Sequence, residues 1–178
     1  MNLLPRLLGC LGRAPLLCAL LAATLFGASC QKPPEPKYIA EFYLESPADT
    51  GIAFQMPTTH LPFHRMADPF LNQASVTRVE QGQLNVKVSD NLVRPANCLM
   101  FYFDQDGQKR LYMATAGNPT KRIFLFINSQ PVAVRPIDQP IEDGMLFLFP
   151  EVADADLPAY VADLKESIKR FNDLKNSR

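Results

Sequence analysis

The sequence predicts an α+β domain: a mixed or antiparallel sheet of about six short strands, with an amphipathic C-terminal helix and one short internal helix packed on it. Three observations carry that prediction. Short β-rich runs recur through the middle of the chain, and two of them, residues 75–80 and 84–88, alternate apolar with polar side chains. Asp104-Gln105-Asp106-Gly107 then changes the period from two to a helical one. Last, Leu157, Tyr160, Val161, Leu164, Ile168, Phe171 and Leu174 recur on one face of a C-terminal helix whose other face carries Asp163, Lys165, Glu166, Lys169 and Arg170.

The first segment of the chain stands outside this domain. Residues 1–29 carry Arg6 and Arg13, no acidic residue, and an apolar run from Leu16 to Phe26 that is closed by Gly27-Ala28-Ser29. That run is shorter than the roughly 20 residues a membrane-spanning helix needs, and small residues follow it directly, so it is a bacterial export signal rather than an anchor. Gly27-Ala28-Ser29-Cys30 resembles a lipobox, in which the cysteine thiol is fatty-acylated and becomes the mature N-terminus. Ordinary signal cleavage after Ser29 is the alternative. Gln31, rather than Asp, after the cysteine favours the outer over the inner membrane by the rule of that family. Residues 30–37, with Pro33, Pro34 and Pro36, are suited to an extended tether.

The folded domain is then residues 38–178. Of the 4 cysteines, Cys10 and Cys18 leave with the signal and Cys30 takes lipid, so Cys98 remains alone and no intrachain disulfide is expected. The rest of the chain is long enough to bury about two thirds of its surface without one. Lys+Arg 18 against Asp+Glu 18 excludes a nucleic-acid-coating protein and an acidic disordered chain. With no second long apolar run, no second membrane span is expected.

Within the domain, residues 38–44 open as a strand. Residues 75–80 and 84–88 form a strand pair turning at Gln81-Gly82-Gln83, where Gly82 supplies a positive φ. Residues 99–103 form the next strand, and Asp106 caps a short helix that Gly117-Asn118-Pro119 stops. The continuous apolar run Ile123-Phe124-Leu125-Phe126-Ile127 is a buried strand that turns at Asn128-Ser129 into residues 131–135. Pro131 and Pro136 place that second strand at an edge or end it early. Residues 145–149 form another buried strand, and Asp156 caps the final helix with Pro158 in its first turn.

The order of elements resembles the extracytoplasmic head of SecD-type protein-export subunits. The residues that carry this likeness are Phe103-Asp104-Gln105-Asp106-Gly107, the strand Lys121 to Val132 with its two-residue turn, and Gln139-Pro140-Ile141-Glu142-Asp143-Gly144. The upstream Leu61 to Leu71 segment and residues 74–88 match that family's strand, Pro-x-Leu segment and strand. Asn128-Ser129 stands where the family has Asp-Gly. The likeness spans residues 38–176 and implies that fold, an extracytoplasmic setting and contact with polypeptides; it does not carry over the family's motor activity.

Candidate chemistry is sparse. His60, His64 and Asp68 are spaced by four, as metal ligands on a helix would be, but Pro62 and Pro69 make the segment extended and separate them too far for one ion. Cys98 has only those two histidines as partners for nucleophilic chemistry, and beside an apolar strand it fits a small core residue. Asp104 with Asp106, and Glu151 with Asp154 and Asp156, fit helix starts better than metal sites. Phe124, Phe126, Val132 and Val134 alternate and are the candidate binding residues, an aromatic face for a peptide, with core packing as the competing explanation. The expected protein is therefore a non-enzymatic, lipid-anchored envelope protein without metal or cofactor, binding or assisting other envelope or translocating polypeptides, with edge strands available for backbone pairing. A small-molecule-binding or hydrolytic protein using the His60/His64 region is the alternative. Intact mass tests the anchor: the native protein from membranes carries the added mass of acyl chains, and Cys30→Ala loses both that mass and the membrane attachment. An unmodified native protein in the soluble fraction overturns the lipid assignment.

Overall fold

The computed structural model describes residues 35–89 and 92–176, which lie in one compact unit spanning Pro34–Arg178. The signal, Cys30 and most of the tether lie outside the described residues. The strands are Ala40–Leu44 (β1), Ile52–Gln55 (β2), Pro62–Arg65 (β3), Leu71–Asn72 (β4), Val76–Ser89 (β5), Leu92–Phe103 (β6), Arg122–Ile127 (β7), Gln130–Pro136 (β8) and Met145–Pro150 (β9). The helices are Gln105–Ala116 (α1) and Leu157–Asn176 (α2). Seven strands form one antiparallel sheet in the order β4-β1-β7-β8-β9-β6-β5, and β2 pairs with β3 as a separate hairpin. The architecture is α+β, as the periodicities predict.

β7 sits deepest, and its continuous apolar sequence has a physical cause: both faces of this strand are covered. Ile123, Leu125 and Ile127 point into the main core, where Leu157, Val161, Leu164 and Ile168 of α2 and Leu111 of α1 close over the sheet. Phe124 and Phe126 point the other way, into a smaller cluster with Tyr43 that Phe54 of β2 and Phe63 of β3 cover. Phe54 meets Phe124 edge-on at 4.9 Å and Phe126 at 5.0 Å between ring centroids, the offset geometry that aromatic pairs prefer. The strands β2, β3 and β4 are short and carry little periodic signal, which is why the sequence alone places only the helix side of the core.

The β7–β8 turn matches its prediction. Asn128 and Ser129 adopt positive φ (50° and 66°), the two-residue hairpin geometry whose twist suits the flanking strands. Asn128 also clasps the incoming chain, accepting from the Ile39 amide at 2.9 Å and donating to the Lys37 carbonyl at 3.0 Å. Tyr38 N–H donates to Ser167 Oγ at 3.1 Å and Lys37 pairs with Asp163 at 2.6 Å, so the last tether residue, Lys37, already belongs to the folded body. Gln73, almost fully buried, accepts from the Ala40 amide and donates to the Ser167 carbonyl, joining β1 to α2 with every polar atom satisfied.

Three local expectations change. Residues 76–89 are one continuous strand, so Gln81-Gly82-Gln83 is not a turn. Gly82 lies opposite Cys98, and a Cβ there would come within 2.8 Å of the Met100 thioether and 3.2 Å of Cys98 Sγ; the glycine admits sulfur against the backbone rather than reversing the chain. Asp104, not Asp106, caps α1, its carboxylate accepting from the Gly107 amide at 2.8 Å. Asp106 occupies the first turn, where its charge suits the helix dipole. β8 is interior, between β7 and β9. Of the two outcomes expected of its prolines, an edge position or an early end, the second holds: β8 ends at Pro136, and β8 and β9 pair only at Ala133↔Pro150 and Val134↔Phe149. Continuing that register would set Pro136 opposite Phe147, and Pro136 has no N–H to donate. The ladder stops there and the two strands part.

Gly107 offers a test of the α1 packing. An added Cβ would lie 2.9 Å from both Phe103 Cβ and Ser75 Cβ, atoms too close to the backbone to swing aside. Gly107→Ala, which raises helix propensity, is therefore expected to destabilise the domain by about 1–3 kcal/mol. A thermal melt reads it; an unchanged or raised midpoint means that α1 does not pack tightly against Phe103 and Ser75.

Candidate functional site

β5 is the last strand of the sheet and the longest. The direction of its backbone groups follows from the ladder. Phe103 N–H donates to the Gly144 carbonyl on the β9 side, and in an antiparallel sheet alternate residues direct both backbone groups to opposite sides. Tyr102, Met100 and Cys98 therefore face β5, where they sit opposite Arg78, Glu80 and Gly82. The residues between, Val79, Gln81 and Gln83, direct their N–H and C=O groups outward, away from the sheet. An outward row of this kind is a template for another strand.

The helix α2 runs beside that edge. Thr77, Val79 and Glu80 of β5 with Lys165, Lys169 and Asn172 of α2 line a groove of about 320 Å³. Val79 and Ile168 are buried together in the main core beneath it, which keeps strand and helix at fixed separation. Asn172 Nδ2 donates to the Val76 carbonyl at 3.2 Å and closes one end. Arg78 stacks over the Tyr102 ring at 3.8 Å and lies 3.6 Å from Glu80, so the face beside the groove is polar and ordered. An open strand edge bordered by a helix is the arrangement in which an added strand obtains backbone hydrogen bonds from one wall and side-chain contacts from the other.

The residues singled out in the sequence fall elsewhere. Phe124 and Phe126 are 0% and 3% exposed, because the β2–β3 hairpin lies across them. Val132 is buried on the helix side, and Val134 packs half-buried beside Phe124 and Phe126. These four side chains form core rather than surface, the competing explanation noted above. The apolar groups that do reach solvent include Met113 and Tyr112 on α1 and Leu92 and Val93 on β6, and only helix periodicity could have pointed to the first two.

The histidines do not converge with the thiol. His64 lies half-buried in β3 opposite Ala53. His60 sits at the hairpin tip with φ 53°. Cys98 is fully buried on β6, and burial pushes its thiol up, with a partial offset from the Gly82 backbone; it is a small apolar core group. Among the described residues no group of three His, Cys, Asp or Glu is placed to hold a metal ion.

Glu151, expected with Asp154 and Asp156 in the acidic turn that starts the last helix, instead turns its carboxylate to the β2–β3 hairpin. Its carboxylate receives the Thr58 amide at 2.8 Å, the Thr59 amide at 3.1 Å and the Thr59 hydroxyl at 2.6 Å, and the Thr58 hydroxyl reaches its carbonyl at 3.3 Å. Burial alone would raise this carboxyl, but the hydrogen bonds from Thr59 and Thr58, with a smaller contribution from His60, hold it below the ordinary carboxylate range. It pins the tip of the β2–β3 hairpin over the aromatic cluster.

Two solved structures share this fold. One is of SecDF, described as a membrane component that enhances protein export, at 16% identity and a TM-score of 0.51, covering 93% of this chain and 71% of that one. The other is SecDF in a super-membrane-facing form, at 14% identity and a TM-score of 0.52, covering 74% of this chain and 18% of that one. No family model and no curated protein matches the chain. At this identity the likeness establishes a SecD-like fold.

The Glu151 clasp has a pH signature. Because the folded carboxyl titrates below its unfolded value, its stabilisation is complete above the ordinary carboxylate range and is lost as pH falls through the lowered folded value. Hydrogen exchange at the Thr58 and Thr59 amides should therefore lose protection in acid, and Glu151→Ala should show the unprotected behaviour at neutral pH. Equal protection in the variant and the native protein refutes the clasp.

Proposed function

We propose that this protein is a non-catalytic, lipid-anchored module of the bacterial envelope that binds extended polypeptides and assists proteins in or after export. The observation that carries the reading is the outward-facing β5 edge, Val79, Gln81 and Gln83, beside the α2 groove on a SecD-like fold. A segment added there meets a row of backbone donors and acceptors, so affinity derives mainly from main-chain bonds and sequence preference is broad. That suits clients that are still extended. Support for the setting comes from the sequence: the export signal of residues 1–29, the lipobox-like Gly27-Ala28-Ser29-Cys30 and the proline-rich tether, with Gln31 favouring the outer membrane. Cys30 is the anchor, and the folded body faces the periplasm.

Gln81→Pro tests the edge. The Gln81 N–H points away from β6, so proline there removes an outward donor without breaking a ladder bond, a position at which edge strands tolerate proline. Anisotropy of a labelled synthetic peptide of alternating valine and serine is expected to report binding to the native protein and a loss of about tenfold in the variant, equal to about 1.4 kcal/mol. A thermal melt confirms that the variant is folded. A folded variant that binds the peptide as the native protein does excludes the β5 edge as the site.

A further inference from the structure

The parting of β8 and β9 leaves a cleft. Arg135, Ile141, Glu142, Asp143, Met145 and Phe147 line a cavity of about 450 Å³ that opens to solvent. Its floor is a guanidinium. Arg135 is only 6% exposed and stacks over the Phe147 ring at 3.6 Å. Among the described residues its one hydrogen-bonding partner is Asp138, whose Oδ1 lies 3.5 Å from Nη2 and whose side chain is 71% exposed. No described side chain keeps a fully buried nitrogen or oxygen without a partner. The Nε and Nη1 donors of Arg135, which no residue takes up, therefore retain access to solvent, and Arg135 is one of the residues that line the cleft.

Donors of a nearly buried guanidinium that only water takes up are open to exchange for the acceptor of a ligand. The surroundings decide which acceptor. Glu142 and Asp143 line the cleft with a single positive charge, Arg135, which Asp138 already pairs from outside the lining, so the rim is net negative and a free phosphate or carboxylate is disfavoured. A neutral carbonyl is not. Phe147 adds a further constraint, because it pairs with Met100 of β6, whose facing residue in the next pair, Phe101↔Leu146, directs its bonds between those two strands. Phe147 thus directs its own backbone groups toward β8, where Pro136 has no N–H to give. The cleft offers strand-like bonding on one wall, guanidinium donors on the floor and carboxylates at the mouth.

We propose that the β8–β9 cleft is a second polypeptide subsite, in which Arg135 takes backbone carbonyls of an extended segment while Glu142 and Asp143 receive a basic side chain of the same segment. This rests on the polypeptide-binding reading and gives it a charge preference that the β5 edge lacks. Burial lowers the Arg135 guanidinium, and Asp138 and Asp143 partly draw it back up. The Asp143 carboxylate already accepts the Met145 amide at 3.0 Å, which fixes its position at the rim.

The test uses two labelled peptides, alternating valine with lysine and valine with glutamate, titrated by anisotropy into the purified protein. The native protein is expected to prefer the lysine peptide by about tenfold, or about 1.4 kcal/mol. The double variant Glu142→Gln/Asp143→Asn, which changes only solvent-facing side chains and leaves an amide oxygen for the Met145 N–H, is expected to abolish that preference at an unchanged melting temperature. Arg135→Leu is expected to weaken the lysine peptide about tenfold; should it fail to fold, the rim variant decides alone. Gln81→Pro is expected to leave the preference in place. A preference that survives the rim variant, or none in the native protein, overturns the cleft while the valine–serine peptide still judges the β5 edge. If neither edge nor cleft binds any of the three peptides, both readings fall together.

Discussion

The structure depends on burying β7 on both faces. A strand reading Ile-Phe-Leu-Phe-Ile has no side to turn to water, so the sheet around it must be covered twice. Two helices cover one face with aliphatic side chains. The other is covered by a hairpin of only eight strand residues, β2 and β3, which relies on aromatic contacts because it brings few side chains. Phe54 and Phe63 reach Phe124 and Phe126, and Arg65 lies 4.0 Å above the Tyr43 ring and 5.0 Å from that of Phe126. The Glu151 carboxylate then holds the hairpin's far end. Cover on this side is thin, and its position is set by one polar clasp and a handful of rings.

Departures from a regular sheet arise where a backbone donor is missing or a side chain cannot fit. Pro136 ends the β8–β9 ladder, and the space that opens is occupied by Arg135 rather than by apolar packing. Gly82 lets β5 pass where a side chain would collide with the Met100 thioether. The first opens a cavity lined by a guanidinium, and the second lets β5 continue unbroken as the last strand of the sheet.

How much was visible beforehand follows from the range of the interactions. The α2 helix, its buried face, the Asn128-Ser129 turn and the apolar strands β7 and β9 were legible, because each is specified by neighbours within about a turn or a strand pair. Gly82 was misread since glycine signals both a turn and a close backbone approach, and only the partner strand distinguishes them. The capping role passed from Asp106 to Asp104 by a shift within the range at which helix ends are read. The aromatic alternation of Phe124 and Phe126 was seen correctly but its destination was not, as nothing local marks residues 52–55 and 62–65 as the lid.

By itself, then, the sequence determined the balance of charge, the α+β class and which residues are apolar on which strand, since these rest on composition and on periods of two and 3.6. Tertiary structure decided which apolar faces are covered, that the four candidate binding residues are core, that β5 keeps an open edge beside α2, and that Arg135 lies at the bottom of a cleft. Those properties depend on which strands become neighbours. Neighbourhood in a sheet is settled by contacts between residues far apart in the chain, such as Thr58 with Glu151 or Gln73 with Ser167, and no local pattern encodes such pairs.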